Sequence, residues 1–294
     1  MDKREYHEIN RYQDNLFPVE IYRVNENGIF PFGRGIQDFH WHDELQFTLA
    51  IHGSLTLQAD ARQYTLNEGD AAFINSGIIH AVTKLSAGGQ YASLNFPYKM
   101  LSFFSGSRME KEYVLPYVTG GCLPVVILRS EMAAQNSVIE ILREINTLWE
   151  HPLSVQDKYR ISIRITALWH TFLRNLPDEN ISTCSISLVH RQRLQLMLSC
   201  IYERYPEDIG LADISGSANI SAGECCRIFR EHLQTTPYQF LTEYRIRKSA
   251  EMLSGSLTIS EIAGLCGYNQ TSNYIAKFKS IMGCTPAQYR KHYE

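Results

Sequence analysis

Long hydrophobic runs are absent from this chain. None of its apolar stretches approaches the roughly 18 residues that a membrane-spanning helix requires. The opening residues, MDKREYHEIN, contain no apolar signal segment. These two absences predict a cytoplasmic protein with no membrane partner.

Paired cysteine motifs are absent as well. The chain has 7 cysteines, an odd number, and none of them is arranged as Cys-x-x-Cys. This usage is typical of reduced and mostly buried thiols, and it argues against a disulfide framework or a zinc ribbon.

Strong charge of either sign is also missing, since the formal net charge is −3. Residues 190–294 carry 12 Lys and Arg against 10 Asp and Glu, whereas residues 1–189 carry 16 against 21. The weakly basic C-terminal part is a weak indication of nucleic acid binding, because surface charge also serves solubility. With 294 residues, of which 44% are apolar, the chain is long enough for two domains.

A repeated helix start is the most informative feature that is present. TTPYQF at 235–240 returns as CTPAQY at 284–289. Thr followed by Pro favours a helix start, because Thr accepts free amide hydrogens while Pro lacks one. Upstream of each copy we expect a tight turn, at Asn219 and at Gly267, since both residue types tolerate a left-handed backbone. Each copy is therefore predicted to be a helix, a tight turn and a second helix.

The second helix of each copy should begin at a polar cap. Ser221 and Glu224 are predicted to form a capping box in the first copy, and Asn269 is predicted to be the cap in the second. PYQFLTEYRIRKSAEMLSG should join the copies as one helix that stops at Gly255. A rigid connecting helix suits two adjacent major grooves about 34 Å apart. The alternative is a plain helical bundle with an internal duplication, since function does not follow from fold.

The segment YRIRKSAEMLSGSLTISEIAGLCGYNQTSNYIAKFKSIMGCTPAQYRKHY resembles the DNA-binding domain of AraC/XylS-type transcription regulators. The resemblance extends over about residues 190–294, with the family's connecting helix, Gly-Tyr turn and Thr-Pro-x-Gln-Tyr start in order. It implies two helix-turn-helix units that bind double-stranded DNA in a sequence-specific way, in a regulator and not an enzyme. RNA polymerase is then a further candidate partner.

Each copy is predicted to present one recognition helix to DNA. The predicted DNA-facing residues are Ala222, Gly223, Cys226, Arg227, Arg230, Gln270, Thr271, Ser272, Asn273, Ala276, Lys277 and Lys279. Between them, apolar residues are predicted to form the core of the units: Cys225, Ile228, Phe229, Tyr274 and Phe278. Arg227 could pair with guanine and Asn273 with adenine; either could instead hold a phosphate.

Residues 30–100 follow a different pattern, with short apolar stretches broken by turns. LQFTLAI, SLTLQ, QYTL, AAFI and IIHAV are predicted strands, and Gly53, Gly69 and Gly77 mark turns between them. This spacing is typical of a small β-barrel or sandwich.

Histidines are concentrated around this predicted barrel. In FHWHDELQF, His40, His42 and Gln46 share one face of a strand by parity, while Trp41 points the other way. Residues 33–84 resemble the two motifs of the cupin barrel, a resemblance that adds His80 to the same site. Gln46 stands at the usual Glu position.

The cupin resemblance has further departures and a functional implication. Asn75 stands where Pro is usual and Lys84 where Asn is usual. Because Gln46 removes the anionic ligand, we expect no metal and no other cofactor. AraC-type regulators commonly use this cavity for a small effector, often a sugar, so the predicted effector-binding residues are His40, His42, Glu44, Gln46 and His80.

Other interpretations of the N-terminal half are also compatible with its sequence. The histidines could be hydrogen-bonded inside the barrel without any ligand. The chain could be a metal-dependent cupin enzyme with a fused helical domain. It could also be a DNA-binding protein that senses redox state or a protein partner, with thiols such as Cys226 as the sensor.

Two amphipathic stretches separate the halves. NSVIEILREINTLWE and RISIRITALWHTFLRNLP each carry an apolar stripe and should form a helical hairpin. The stripe must be buried against the barrel or against a second protomer, and the resemblance favours a homodimer. The predicted dimerisation residues are Val138, Ile141, Leu142, Ile145, Leu148 and Trp149.

The predicted fold class is a multidomain α+β protein. An N-terminal cupin-like β-barrel with a helical hairpin is followed by an all-α double helix-turn-helix domain. The predicted boundaries are 1–130 for the effector-sensing domain, 131–176 for the dimerisation hairpin, 177–188 for a linker and 189–294 for the DNA-binding domain.

Overall fold

The structure is a computed structural model that describes residues 12–30, 38–59, 62–118, 123–149, 152–176, 188–253 and 255–291. Its residues group into two compact units, one ending at Leu188 and one beginning at Val189. The first is rich in β-sheet and the second is helical, which confirms the predicted fold class. The predicted linker 177–188 lies outside the described residues except for Leu188, where a helix already begins.

Two antiparallel sheets form the centre of the first unit. Their strands are β1 (Glu20–Asn25), β2 (Gly28–Phe30), β3 (Leu45–His52), β4 (Leu55–Ala59), β5 (Arg62–Leu66), β6 (Ala71–Ile74), β7 (His80–Leu85), β8 (Gln90–Phe96) and β9 (Val125–Leu128). Among the described residues, one sheet has the order β2-β1-β8-β3-β6-β9 and the other the order β5-β4-β7.

Strand β3 is buried on both faces, and this explains why its sequence is apolar or uncharged throughout. Leu45, Phe47 and Leu49 belong to the larger apolar cluster, which also includes the helices of this unit. Ala50 belongs to a second cluster that lies between the two sheets. Because side chains alternate along a strand, Gln46 and Thr48 point to the same side as Ala50, into the space between the sheets.

The five predicted strands are confirmed, with one shifted boundary. The last begins at His80 and not at Ile78, because residues 75–79 form a turn in which Gly77 has φ +69°. Gly53 and Gly69 also have positive φ, as their predicted turns require. Strands β1, β2, β8 and β9 were not predicted.

Helices cover the outer face of the large sheet. A short 3₁₀ helix (Tyr98–Leu101) and a π-helical turn (Glu110–Val114) lead into α1 (Leu115–Val118). They are followed after β9 by the hairpin of α2 (Ala133–Leu148) and α3 (Val155–Arg174). Ser154 caps α3 in a capping box with Asp157. The hairpin is where the sequence predicts it.

The apolar stripe of α2 lies in the core of its own chain. Val138 and Ile145 are fully buried, Leu142 and Trp149 are 3% exposed, and all four pack with the sheet and α3. Ile141 and Leu148 are partly buried against the same cluster. This packing corrects the assignment of the stripe to a dimer interface, because side chains already buried within one protomer offer little surface to a second.

The second unit consists of seven helices among its described residues. They are α4 (Leu188–Arg204), α5 (Leu211–Ser217), α6 (Ala222–Leu233), α7 (Pro237–Met252), α8 (Ile259–Leu265), α9 (Thr271–Met282) and α10 (Pro286–Arg290). The pairs α5–α6 and α8–α9 are the two helix-turn-helix units, and α7 connects them. All five residues predicted for the core of these units are completely buried.

The repeated Thr-Pro pairs act as the sequence predicts. Thr236 and Thr285 each cap a helix in a capping box, with Gln239 and Gln288 as the reciprocal partners, and Pro occupies the first turn in both. The two turns are also confirmed, because Asn219 has φ +52° and Gly267 φ +77°.

Three predicted helix boundaries differ in detail. Ser221 caps α6, but the Glu224 carboxylate binds Arg227 and does not complete a capping box. Gln270, and not Asn269, is the N-cap of α9, without a side-chain hydrogen bond. The connecting helix ends at Met252, and Gly255 does not have the left-handed φ of a C-cap glycine.

Candidate functional sites

The histidine cluster of the first unit is built on backbone pairing. His40 and His80 form an isolated antiparallel bridge, with both N–O distances 3.0 Å. The amide of Gly77 donates to the carbonyl oxygen of His42 at 2.8 Å. These bonds hold the segment around His40 against the start of β7.

Strand parity is not what brings His42 to Gln46. The segment from His40 to Gln46 is interrupted by a bend at Asp43 and Glu44, and β3 begins only at Leu45. His42 Nε2 nevertheless lies 2.9 Å from Gln46 Oε1, because the bend folds the His42 ring back over the strand. The predicted meeting of these residues is therefore present, but the predicted reason for it is wrong.

Each of the three imidazole rings is oriented by a backbone carbonyl. Nδ1 of His40 lies 2.8 Å from Asp38 O, Nδ1 of His42 lies 3.1 Å from Glu44 O, and Nδ1 of His80 lies 2.9 Å from Ile78 O. Because a carbonyl oxygen only accepts, each Nδ1 carries a proton and each Nε2 is left as the acceptor in the neutral ring.

Burial favours the neutral form of His80. His80 is 2% exposed and His42 1% exposed. The pKa of His80 is well below its usual value, because burial disfavours the charged ring and because His40 and His42 lie beside it. One ring nitrogen from each of His40, His42 and His80 lies within 4.8 Å of the other two, so the set could also hold a metal ion.

A row of polar side chains continues from the histidines across the large sheet. Gln46 Nε2 donates to Thr48 Oγ1 at 2.8 Å, and Thr48 Oγ1 lies 3.0 Å from Ser93 Oγ on β8. Strand register also places Gln46 opposite Asn95, and Asn95 opposite Glu20 of β1. These hydrogen-bonding groups lie between the sheets, where an apolar core would otherwise be expected.

A cavity of about 440 Å³, including its open mouth, adjoins this row. Its walls combine apolar and hydrogen-bonding side chains: Tyr22, Val24, Ile29, His40, Gln46, His80, Val82, Tyr91, Ser93 and Asn95. Among the predicted effector residues, His40, Gln46 and His80 line the cavity, whereas His42 and Glu44 do not.

Glu44 has a different position from the one expected. It accepts a hydrogen bond from the Tyr12 hydroxyl, and one of its carboxylate oxygens lies 3.6 Å from His42 Nδ1. Burial, together with the bond to Glu44, raises the pKa of Tyr12 above its usual value. Glu44 thus orients its neighbours and does not face the cavity.

Several residues that line the cavity were not predicted, because the strands that carry them were not predicted. Tyr22 lies on β1, and Ser93 and Asn95 lie on β8. The alternation of polar and apolar residues in QYASLNF, after the turn at Gly88, is the signal that could have identified β8. Glu20 was also missed. It is fully buried, and burial raises the pKa of its carboxyl.

The first recognition helix, α6, presents few groups for DNA. At its start the predicted contacts are Ala222 and Gly223, which are exposed but have no hydrogen-bonding side chain. Cys226 is half-buried, and Arg230 is exposed. Among the predicted contacts of α6, Arg227 and Arg230 are therefore the exposed residues whose side chains can donate strong hydrogen bonds.

Arg227 is already engaged within its own helix. Its Nε and Nη2 donate to the Glu224 carboxylate at 2.9 and 2.7 Å, and its Nη1 donates to Glu231 at 2.7 Å. Hydrogen bonds from these carboxylates raise the pKa of Arg227 above its usual value. His190 and Arg193 of α4 approach Glu224 at 3.7 and 3.8 Å. To contact DNA, Arg227 would have to break its hydrogen bonds to Glu224 and Glu231.

The predicted second recognition helix, α9, carries more side chains than α6 that could contact DNA. Its start carries Thr271, Ser272 and Asn273, and the preceding residue is Gln270. Ala276, Lys277 and Lys279 follow, and all seven are exposed or half-buried. The helix contains no Asp or Glu, so it presents hydrogen-bonding side chains and positive charge together.

Two of the recognition-unit thiols are poor redox sensors. Burial raises the pKa of Cys225 and of Cys266 to about 12, so both thiols stay protonated and unreactive at neutral pH. Cys226 is half-buried on α6.

None of the helices in the described part of the chain combines the length and the hydropathy that a membrane span requires.

Comparison with known proteins assigns both halves. Residues 33–121 match the family model of the AraC-like ligand binding domain, and residues 214–292 match that of a helix-turn-helix domain. The uncharacterized HTH-type transcriptional regulator YdeC of Bacillus subtilis is 30% identical, over 97% of this chain and 95% of its own length.

Two sugar-operon regulators are also similar to the chain. The melibiose operon regulatory protein of Escherichia coli is 23% identical over 86% of this chain and 83% of its own length. The raffinose operon transcriptional regulatory protein RafR of Pediococcus pentosaceus is 25% identical over 51% of this chain and 53% of its own length.

Proposed function

Because the chain belongs to the AraC family of transcription regulators, we propose that a sugar-like effector, bound in the cavity between its two sheets, controls how its second unit binds DNA. The effector would act by binding one arrangement of the protein more tightly than another, since a ligand without such a difference shifts no equilibrium. The family assignment makes the chain a regulator and not an enzyme, and DNA as a partner implies a cytoplasmic location.

The polar row that ends at the cavity is the observation that carries the effector proposal. Gln46, Thr48 and Ser93 form a continuous hydrogen-bonded chain from strand to strand. Amides, hydroxyls and neutral imidazoles both donate and accept hydrogen bonds, as the hydroxyl groups of a polyol require. The names of the melibiose and raffinose operon regulators agree with a sugar as the ligand class.

For DNA, we assign the two recognition helices α6 and α9 to adjacent major grooves. The proposed contacts are the exposed and half-buried residues on the outer faces of these helices. The connecting helix α7 extends from Pro237 to Met252 and fixes the spacing of the two units within their common domain. Activation of transcription would add RNA polymerase as a partner.

A homodimer remains part of the proposal, but through a different surface from the predicted stripe. Helix α3 exposes Val155, Tyr159 and Ile163, which are 83%, 72% and 54% exposed. Their spacing of four residues places them on one side of the helix. This exposed row, and not the buried stripe of α2, is where a second protomer could pack.

The effector proposal is tested by thermal-shift titration of the full chain with melibiose, raffinose and their component monosaccharides, in EDTA. We expect at least one of these sugars to stabilise the protein and to change its affinity for promoter DNA. The variant Gln46→Leu removes the central group of the polar row, and it should weaken sugar binding by about 5- to 150-fold.

Gln63→Leu is the matched control, because Gln63 is exposed on β5 and away from the cavity. It should leave the sugar response unchanged. If no sugar stabilises the wild type, or if both variants respond equally, the cavity is not a sugar site.

A further inference from the structure

The three histidine rings are oriented as metal ligands usually are. In each ring, Nδ1 donates to a main-chain carbonyl oxygen, that of Asp38, Glu44 or Ile78. Metal-binding histidines in proteins usually donate their second ring nitrogen to a carbonyl or carboxylate, which fixes the ring and directs the unprotonated nitrogen at the ion. Here the same constraint acts on three neighbouring rings.

The distances within the cluster are short enough for one ion. The ring centroid of His80 lies 4.3 Å from that of His40 and 5.2 Å from that of His42, and one nitrogen of each ring lies within 4.8 Å of the others. A tetrahedral ion with metal–nitrogen bonds of about 2.1 Å holds its ligands about 3.4 Å apart. Small side-chain rotations would close the difference.

One ring nitrogen lacks a donor in the described structure. His80 Nε2 is buried and makes no hydrogen bond there. Burying an acceptor without a donor costs about 1–3 kcal/mol, and a cation bound to this nitrogen would remove that cost. His42 Nε2 lies 2.9 Å from Gln46 Oε1, and an ion that binds both of these atoms would replace their hydrogen bond.

We propose that His40, His42 and His80 bind one divalent late transition metal ion, with Gln46 Oε1 as a fourth ligand. Such a site would make the cavity metal-binding, contrary to the expectation from the sequence. Replacement of Glu by Gln removes a negative charge from the ligand set but keeps an oxygen at the same place. Three imidazoles and a neutral oxygen favour Zn²⁺, Ni²⁺, Cu²⁺ or Co²⁺ over Mg²⁺ and Ca²⁺, which require mainly carboxylate and carbonyl oxygens.

The carboxylate of Glu44 places a negative charge beside His42, outside the proposed set of ligands. One of its carboxylate oxygens is 3.6 Å from His42 Nδ1, and such outer carboxylates raise the basicity of a ligating ring. An ion at this position would join the segment before β3 to the start of β7 and would adjoin the cavity lined by Ser93 and Asn95. The inference rests on the proposed function only in treating this unit as the sensing part of a regulator.

The test measures metal binding to the full chain without an affinity tag, since a histidine tag would bind the same ions. After treatment with EDTA and its removal, the protein is titrated with Zn²⁺ alone by calorimetry, with Mg²⁺ as the comparison ion. We expect one Zn²⁺ per chain and no binding of Mg²⁺. Co²⁺ loading adds a visible absorption spectrum that reports nitrogen and oxygen ligands directly.

Variants then locate the ion. His40→Gln and His80→Gln should each weaken Zn²⁺ binding by about 10- to 100-fold or more. His52→Gln, in the same unit but with a 63% exposed side chain, should not change it. His40 is only half-buried, so it provides a result even if the His80 variant fails to fold. Gln46→Glu should tighten binding by about tenfold or more, because it restores an anionic ligand.

Stoichiometric binding that disappears in the His40 variant and persists in the His52 variant supports the site. Absence of binding, or equal binding by all variants, overturns it. The sugar titration in EDTA is independent of this outcome. Loss of the sugar response would refute the proposed effector, while Zn²⁺ binding by the same protein would still stand.

Discussion

The two helix-turn-helix units share one architecture but differ in what they present to DNA. Both contain a left-handed turn, at Asn219 and at Gly267, and both are followed by a helix that starts at Thr-Pro. Their recognition helices differ: α6 begins with Ala222 and Gly223, whereas α9 begins with hydrogen-bonding side chains. Recognition helices contact base edges mainly through their first residues.

Charge increases this difference. Helix α6 carries Glu224 and Glu231, both bound to Arg227, and one further arginine, Arg230, whereas α9 has two lysines and no acidic residue. Phosphate attraction provides most of non-specific DNA affinity. From this difference we propose that α9 supplies most of the base recognition and attraction, while α6 mainly positions the domain on the duplex.

The largest expected effect concerns the turns. A Cβ on Gly267 would lie 2.6 Å from the Tyr205 carbonyl oxygen and 2.8 Å from Arg245 Nη2. Gly267→Asn should therefore destabilise the second unit by about 2–4 kcal/mol, from the clash and the positive φ. Thermal unfolding followed by circular dichroism should show a fall of about 10–20 °C. Asn219→Gly is the counterpart and should change stability by less than about 1 kcal/mol; equal effects would show that the two turns are interchangeable.

An intermediate effect is expected at the start of α9. Asn273→Ala should reduce affinity for the preferred DNA site by about 1–3 kcal/mol and relax base preference at one position, because Asn commonly pairs with adenine. Lys279→Ala should weaken all sequences evenly and lower the salt dependence by about one unit. Competition titrations at several salt concentrations separate the two. An even loss for Asn273→Ala would reassign it to a phosphate.

The sequence predicts best those features of the two units that depend on residues close together in the chain. The Thr236 and Thr285 caps were predictable because cap, proline and reciprocal Gln lie within four residues. The engagement of Arg227 by Glu224 and Glu231 is equally local, and the i, i+3 and i, i+4 spacing could have revealed it. The cap of α9 was misassigned by one residue, since Asn269 and Gln270 are adjacent polar candidates.

Features that depend on distant contacts were harder to predict. The α2 stripe has the same spacing whether Ile145 packs on its own sheet or on a second protomer, so periodicity alone could not decide. Likewise, His80 was placed near His40 through a family resemblance, because backbone pairing across 40 residues leaves no local signal. The polar row was missed for the same reason, since Ser93 meets Thr48 only when β3 and β8 pair.

The smallest expected effect concerns Glu231 of α6. Glu231→Gln removes one carboxylate from Arg227 and one negative charge from the DNA-facing helix. Exposed ion pairs contribute little to stability, so folding should not change, while DNA affinity should rise by up to about tenfold at low salt. In an Arg227→Ala background the gain should shrink, as a double-mutant cycle would detect. An equal gain in both backgrounds would mean that Arg227 does not contact DNA.

Selection of bound sequences from a randomised DNA library by the wild-type chain tests the central claim most directly. If α9 supplies most of the base recognition, one half of the selected site should be strongly specified and the other, about one helical turn away, only weakly. Repeating the selection with Asn273→Ala should remove preference from the strong half. Two halves with equal sequence preference, or a strong half that is unaffected by Asn273→Ala, would contradict the account.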